Sequence, residues 1–365
     1  MYGPLHQNFS FGACRLRRDF VRRRIRPDCF KTETVSQALF VEAVLKRANL
    51  SVDSAPDGRE WGALATEASN PSTENLDTLS TEEVVSLILE EDRRGLETAL
   101  RSREGIAQAA LWVAETIDGG GGVVFAGAGT SGRLGILEAS ECPPTFGTGP
   151  EQIRAVIAGG REATFLAREG AEDIFKDGAD AVGDLGAGDL LIGLSASSAT
   201  PYVLGALVAA RDRGARTILL TCAPPGVLAD VADLVLALDT GPEVLTGSTR
   251  LKAGSATKAV LNAITTAAMV RLGKVYGNLM VDLSVGSDKL RDRALRIIEA
   301  AGEVSRGEAG QLYEATDGEV KTAIVMALCD LDVKPARDRL REAGSHVRRA
   351  LAGRVGPEKN GILDE

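Results

Sequence analysis

Five short, mainly apolar runs stand out along the middle of the chain, at 123–126, 153–158 (with Arg154 in it), 190–194, 217–222 (with Thr217 and Thr221) and 234–238. Each is too short for a helix and apolar on both faces, which is the pattern of strands covered from both sides. Stretches with helical spacing fall between them, at 105–117 before the first run, at 133–140, at 162–173 and after Pro201. Alternation of this kind predicts an α/β fold built on a five-stranded parallel sheet with helices on both faces. In such sheets ligands collect off the carboxyl ends of the strands, near the point where strand order reverses.

The flanks read differently. Ser80 followed by Glu83 predicts a capping box opening a helix that carries Val84, Val85, Leu87, Ile88 and Leu89. The polar, Pro/Asn/Ser-rich stretch 66–78 before it fits two roles, a surface loop leading into that helix or a cover over a neighbouring subunit's site. After the last apolar run, 248–272 is a long Ala- and Thr-rich helical pattern, and 288–351 is helical throughout, a small appendage. At the other end, residues 1–57 carry an arginine cluster from Arg15 to Arg26 and a short helical pattern at 35–48. That segment reads as a targeting or anion-binding tail, or as a dispensable extension. It holds no apolar core of a signal peptide, and no run anywhere is long enough to span a bilayer.

Composition narrows the chemistry. A chain of 365 residues with 44% hydrophobic content buries a sizeable core, and a net charge of -9 with 4% aromatics speaks against nucleic-acid partners and for small-molecule ligands. The five cysteines lack CxxC spacing, so neither a zinc site nor a disulfide framework is expected, and a reducing, cytoplasmic setting fits. Only two histidines are present, His6 and His346, too few for a histidine-based metal site and poorly placed for a Ser-His-Asp triad. Acid-base chemistry in this chain therefore falls to carboxylates.

The first strand empties into Gly127-Ala128-Gly129-Thr130-Ser131-Gly132 and then a helix. Glycines allow a sharp turn and close approach, and the helix start offers unpaired N–H groups and a positive dipole end, so an anion is the natural guest. Formally the run is GxGxxG, yet the second strand ends Ile157-Ala158-Gly159-Gly160, without the acid that holds an adenosine ribose. Hydroxyls take its place: Thr130 and Ser131 here, with Ser195, Ser197, Ser198 and Thr200 in the loop after the third strand. Two hydroxyl-rich loops at strand ends suit a phosphomonoester bound without metal, although each loop read singly also fits caps and turns. Lys252 and Lys258 are possible partners for a phosphate or carboxylate, and equally fit solvated or structural lysines. Arg133 reads as a helix-surface residue, and Cys142 as a packing residue.

The runs GAGTSGRLGILEASECPPTFG, TGSTRLKAGSATKAVLNAITTAAMVRLGKVYGNLMVDL and TEASNPSTENLDTLSTEE closely resemble the N-acetylmuramic acid 6-phosphate etherase family of the sugar isomerase (SIS) superfamily, over residues 64–351. The resemblance implies a three-layer α/β/α sandwich with a helical C-terminal region. Its divisions are an extension at 1–57, an N-terminal helical segment at 58–110, the SIS domain with its following long helix at 111–285, and a small helical domain at 286–355. It also implies a cytoplasmic homodimer that takes a phosphosugar and no cofactor, and that cleaves a D-lactyl ether. The family's catalytic glutamates map to Glu141 and Glu172, with Glu141 favoured as acid and Glu172 as base. The substrate-binding set implied by loop and resemblance together is Gly129, Thr130, Ser131, Ser195, Ser197, Ser198, Thr200 and Lys252. One departure is visible: where the family reads Ala-Ser-Gly-Arg-Thr-Pro-Tyr, this chain has Ala196-Ser197-Ser198-Ala199-Thr200-Pro201-Tyr202.

Overall fold

The capping box forms as expected: Ser80 Oγ accepts from the Glu83 amide while the Glu83 carboxylate accepts from the Ser80 amide, opening helix α1 (Thr81–Arg101). In this computed structural model, which describes residue 62 and residues 64–352, α2 (Arg103–Asp118) follows and leads into β1 (Val123–Gly127). The chain divides into Met1–Ala43 and Val44–Glu365, and every described residue lies in the second unit. The arginine cluster and the 35–48 pattern lie outside the described residues.

Helix α3 (Gly129–Phe146), β2 (Ile153–Ile157), α4 (Phe175–Ala181), β3 (Leu190–Leu194), α5 (Pro201–Asp212), β4 (Arg216–Thr221) and β5 (Leu234–Ala237) complete the alternating series. All neighbouring strands pair parallel, in the order β2-β1-β3-β4-β5. The predicted five-stranded parallel sheet is thus present, each strand within about one residue of its apolar run. Every residue of β1 and β3 is buried, as strands covered on both faces must be. α2 and α3 cover one face of the sheet and α5 the other, with α4 packed on α5.

The long helix α6 (Lys252–Arg271) packs on α1, α2 and α3, joining them and the sheet in one apolar core. A two-stranded antiparallel hairpin, β6 (Val275–Tyr276) and β7 (Leu279–Met280), follows; its strands are too short to leave an alternating signal in the sequence. Helices α7 (Asp288–Gly302), α8 (Arg306–Ala315), α9 (Val320–Cys329), α10 (Val333–Glu342) and α11 (Val347–Leu351) enclose a second core around Ile297, Ile298, Ile324 and Val325.

Two expected helices come out differently. The 162–173 stretch forms two 3-10 turns, Arg161–Thr164 and Ala171–Asp173, with a loop between them. Within it only Ala163 is buried, and Gly170 takes φ 76, so there is no apolar face to pay for helical order and a left-handed residue interrupts it. α3, by contrast, runs through Pro143 and Pro144 and ends at left-handed Gly147, whose amide donates to the Pro143 carbonyl at 2.9 Å. Burial of Cys142 and Phe146 holds this last turn in place despite the two missing N–H donors.

The same burial governs the thiols. Cys142 is 1% exposed, and burial, assisted by the nearby Glu138 and Glu141 carboxylates, pushes its pKa up to about 12. Burial likewise raises Cys222 to about 11, against a hydrogen bond with Thr257 that lowers it. Since the thiolate is the reactive form, a short iodoacetamide pulse at pH 8 is expected to leave both unlabelled in folded protein and to label both in urea, read by peptide mapping. Labelling of either in the native state would show that its burial is not maintained.

Candidate functional site

Register decides where the loops meet. Gly127 at the end of β1 lies opposite Ile157 of β2 and Leu194 of β3, so all three strands end at one edge of the sheet. The chain reverses strand order here: α3 leaves β1 across one face, and α5 follows β3 on the other, opening a crevice between their first turns. Close approach at this point requires glycine. A Cβ on Gly132 would lie 2.6 Å from Ile157 Cγ1 and 2.7 Å from the Gly127 carbonyl oxygen, so α3 begins flush against the strand ends.

The crevice is a cavity of about 380 Å³. Gly129, Thr130 and Ser131 line it from the loop after β1, and Ser195, Ser197 and Thr200 from the loop after β3. Glu172 enters from the second 3-10 turn, and its carboxylate has no hydrogen bond or ion pair among the described residues. Ser195 Oγ and Thr200 Oγ1 are 2.8 Å apart, and Thr200 precedes the first turn of α5 with Pro201 at its start. Both guanidinium groups in the wall are already engaged. Arg133 donates to the Thr164 and Leu166 carbonyls at 3.1 Å, and Arg168 pairs with Glu162. Arg133 thereby ties the 161–173 loop, which carries Glu172, to the helix that begins at the cavity; its expected place on a helix surface missed this. The hydroxyls of Thr130, Ser131 and Ser197, the Ser195–Thr200 hydroxyl pair and the N–H groups of the first turn of α3 are the chemistry that remains, and they suit an anion of phosphate size.

Three expected site residues lie outside the cavity wall. Ser198 is 2% exposed with φ 57, and its Oγ accepts from the Gly226 amide at 3.0 Å. It occupies the position where the family pattern has glycine, and a non-glycine residue there bears a left-handed backbone at a cost of about 1 kcal/mol. The side-chain hydrogen bond to Gly226 helps hold it. Lys252 is 3% exposed and its ammonium pairs with Glu91, away from the cavity wall. Glu141 sits on the exposed side of α3, one turn after exposed Leu137.

One turn before Glu141, Glu138 is buried and accepts from Asn262 Nδ2 at 2.8 Å and from the Thr265 hydroxyl, both on α6. Burial raises its pKa first of all, the Thr265 hydrogen bond and Lys258 oppose, and the neighbouring Glu141 charge adds to the rise.

The 66–78 stretch places its first two residues in the wall of the cavity of its own chain. Asn70 Nδ2 donates to Glu91 Oε2 and to the Pro242 carbonyl, both at 3.3 Å, and Thr73 Oγ1 donates to the Val244 carbonyl at 2.9 Å. These anchors bring Thr66 and Glu67 into the cavity wall beside Gly247 and Thr249. Neither was singled out from sequence, because the partners of Asn70 and Thr73 in the 242–244 loop lie more than 170 positions away.

Comparison with known proteins gives both a domain match and full-length relatives. The family model of the glucokinase regulatory protein N-terminal SIS domain matches residues 105–211. A phosphoheptose isomerase from Francisella tularensis is similar at 22% identity with a TM-score of 0.41, over 53% of this chain and 99% of that one. A protein of Crocosphaera subtropica named N-acetylmuramic acid 6-phosphate etherase is 46% identical over 295 residues, covering 80% of this chain and 97% of its own. One of the same name from Geobacillus thermodenitrificans is 47% identical over 293 residues, covering 79% and 98%. At that identity and coverage, with the glycine-rich loop and the strand-end crevice in place, the chain belongs to the N-acetylmuramic acid 6-phosphate etherase family.

Proposed function

We propose that this protein cleaves the D-lactyl ether of N-acetylmuramate 6-phosphate by elimination followed by water addition, releasing N-acetylglucosamine 6-phosphate and D-lactate. One observation carries the reading: two hydroxyl-bearing loops and an unpaired glutamate, Glu172, converge on a single cavity at the start of α3. The phosphate sits against Thr130, Ser131 and the first N–H groups of α3, with Ser195, Ser197 and Thr200 opposite. Opening of the sugar ring exposes an aldehyde at C1 and acidifies the C2 proton. Glu172 removes that proton, an acid delivers one to the departing lactyl oxygen at C3, and water adds to the resulting unsaturated aldehyde. Proton transfers are all the protein must supply, so two carboxylates suffice.

Glu141 is the acid in this reading, and it works in a homodimer in the cytoplasm. Leu137 and Glu141 share an exposed face of α3, and α1 exposes Val85, Leu89, Leu96 and Leu100 along one side. Apolar faces of this extent are what a second copy covers, and apposition of the α3 face to a cavity brings the second carboxylate to the substrate.

Purified protein incubated with N-acetylmuramate 6-phosphate is expected to release D-lactate and N-acetylglucosamine 6-phosphate in equal amounts, measured by a lactate dehydrogenase assay. The match to a regulatory protein's SIS domain favours one other reading, a sugar-phosphate sensor without turnover. Tight phosphosugar binding with no lactate released would establish that reading instead.

A further inference from the structure

The roof of the cavity holds two polar groups that the phosphate loops do not use. Thr66 is 3% exposed and lines the cavity, yet its hydroxyl has no hydrogen-bond partner among the described residues. A buried hydroxyl left unpaired is costly, so a partner arriving with a ligand relieves it. Glu67 lines the same wall, and its carboxylate also has no hydrogen bond or ion pair among the described residues. Glu67 is exposed, and its carboxylate lies against Gly247, where a Cβ would stand 2.8 Å from Glu67 Oε2 and where the φ of 76 favours glycine.

The segment is held firmly enough to serve. Asn70 and Thr73, both buried, fasten it to the carbonyls of Pro242 and Val244. A carboxylate in a cavity wall, carried on a backbone anchored in this way, accepts hydrogen bonds from neutral donors and repels anions. It is therefore unsuited to the phosphate or the lactyl carboxylate, and suited to a hydroxyl or amide N–H of the sugar.

We infer that Thr66 and Glu67 form a specificity subsite for the sugar itself: Glu67 accepts from a ring hydroxyl or the acetamido N–H, and Thr66 donates to a sugar oxygen or the acetamido carbonyl. This rests on the phosphosugar reading of the cavity. Glu67 selects a sugar phosphate over a bare phosphate and does so before any bond is broken.

Calorimetric titration of the full chain with N-acetylglucosamine 6-phosphate, glucose 6-phosphate and inorganic phosphate tests it without relying on turnover. Glu67→Ala is expected to weaken N-acetylglucosamine 6-phosphate by about ten- to a hundredfold and inorganic phosphate not at all. Thr66→Val, which removes the hydroxyl and keeps the shape, is expected to weaken the sugar phosphate by several-fold. A loss confined to N-acetylglucosamine 6-phosphate assigns Glu67 to the amide N–H; an equal loss with glucose 6-phosphate assigns it to a hydroxyl. Unchanged sugar-phosphate affinity in both variants overturns the subsite. So does an equal loss for inorganic phosphate, which would mark a loosened segment rather than a lost contact. Wild-type protein that binds none of the three ligands overturns the phosphosugar reading as well, and so separates the two failures.

Discussion

Replacing Glu172 with glutamine is expected to lower D-lactate release by about a thousandfold, within the usual range for loss of a general base, while N-acetylglucosamine 6-phosphate still binds. Glutamine has the shape of glutamate but cannot accept the C2 proton. The change should cost the fold little, because the Glu172 carboxylate has no partner among the described residues and stands in a half-buried 3-10 turn. Glu141→Gln is expected to cause a loss of the same order with the same retention of binding, since it removes the acid. The two are distinguishable by pH. An enzyme lacking its base loses the acidic limb of the kcat/KM profile, and one lacking its acid loses the alkaline limb. A double variant should be hardly slower than either single one, because the carboxylates act in one step. Full lactate release in both single variants would end the two-carboxylate mechanism.

How much of this was legible in the sequence depends on whether a residue's partner is near it in the chain. The central strands announced themselves because a strand buried on both faces must be apolar throughout, and β1 and β3 are buried at every residue; β2, which holds Arg154, and β5 are half-buried at most positions and left a weaker signal. The two hydroxyl-bearing loops of the cavity were legible for a similar local reason, glycine and hydroxyl residues directly after an apolar run. Ser198 shows the limit of that reasoning. It stands in the right loop with the right hydroxyl, but its left-handed backbone turns that hydroxyl to the Gly226 amide. The 162–173 stretch has the composition of a helix and no apolar stripe to bury, and Arg133 holds it as a loop through carbonyls about thirty positions away. Thr66 and Glu67 became visible only once Asn70 and Thr73 were seen to anchor their segment across the fold. Lys252 had an ambiguous sequence context, and the partner that settles it, Glu91, lies 161 positions earlier.

That pair yields the largest expected effect on stability. Lys252→Ala should destabilise the protein by about 3 kcal/mol, the lower end of the usual cost of breaking a buried ion pair, because Arg94 still pairs with Glu91. Glu91 is 4% exposed; without the ammonium it keeps Arg94 Nη1 at 2.6 Å on one oxygen and only the Asn70 amide at 3.3 Å on the other. Solvent does not reach in to replace the lost charge. The double variant Glu91→Leu/Lys252→Met should recover much of the loss, because it removes the buried carboxylate together with the ammonium and fills their place with apolar side chains. Urea titration read by circular dichroism measures both, and a loss below about 1 kcal/mol for Lys252→Ala would mean that the pair is solvated in solution. The consequence reaches the site. Glu91 also receives Asn70, and Asn70 holds the segment that brings Thr66 and Glu67 over the cavity. Lys252→Ala leaves that contact in place, so under conditions where it remains folded its KM for N-acetylmuramate 6-phosphate should change little. The Leu/Met double variant, which restores packing but gives Asn70 no carboxylate to meet, should raise KM more than it lowers kcat although its stability returns. That separation would assign the ion pair two distinct tasks, holding α1 to α6 and fixing the roof of the cavity.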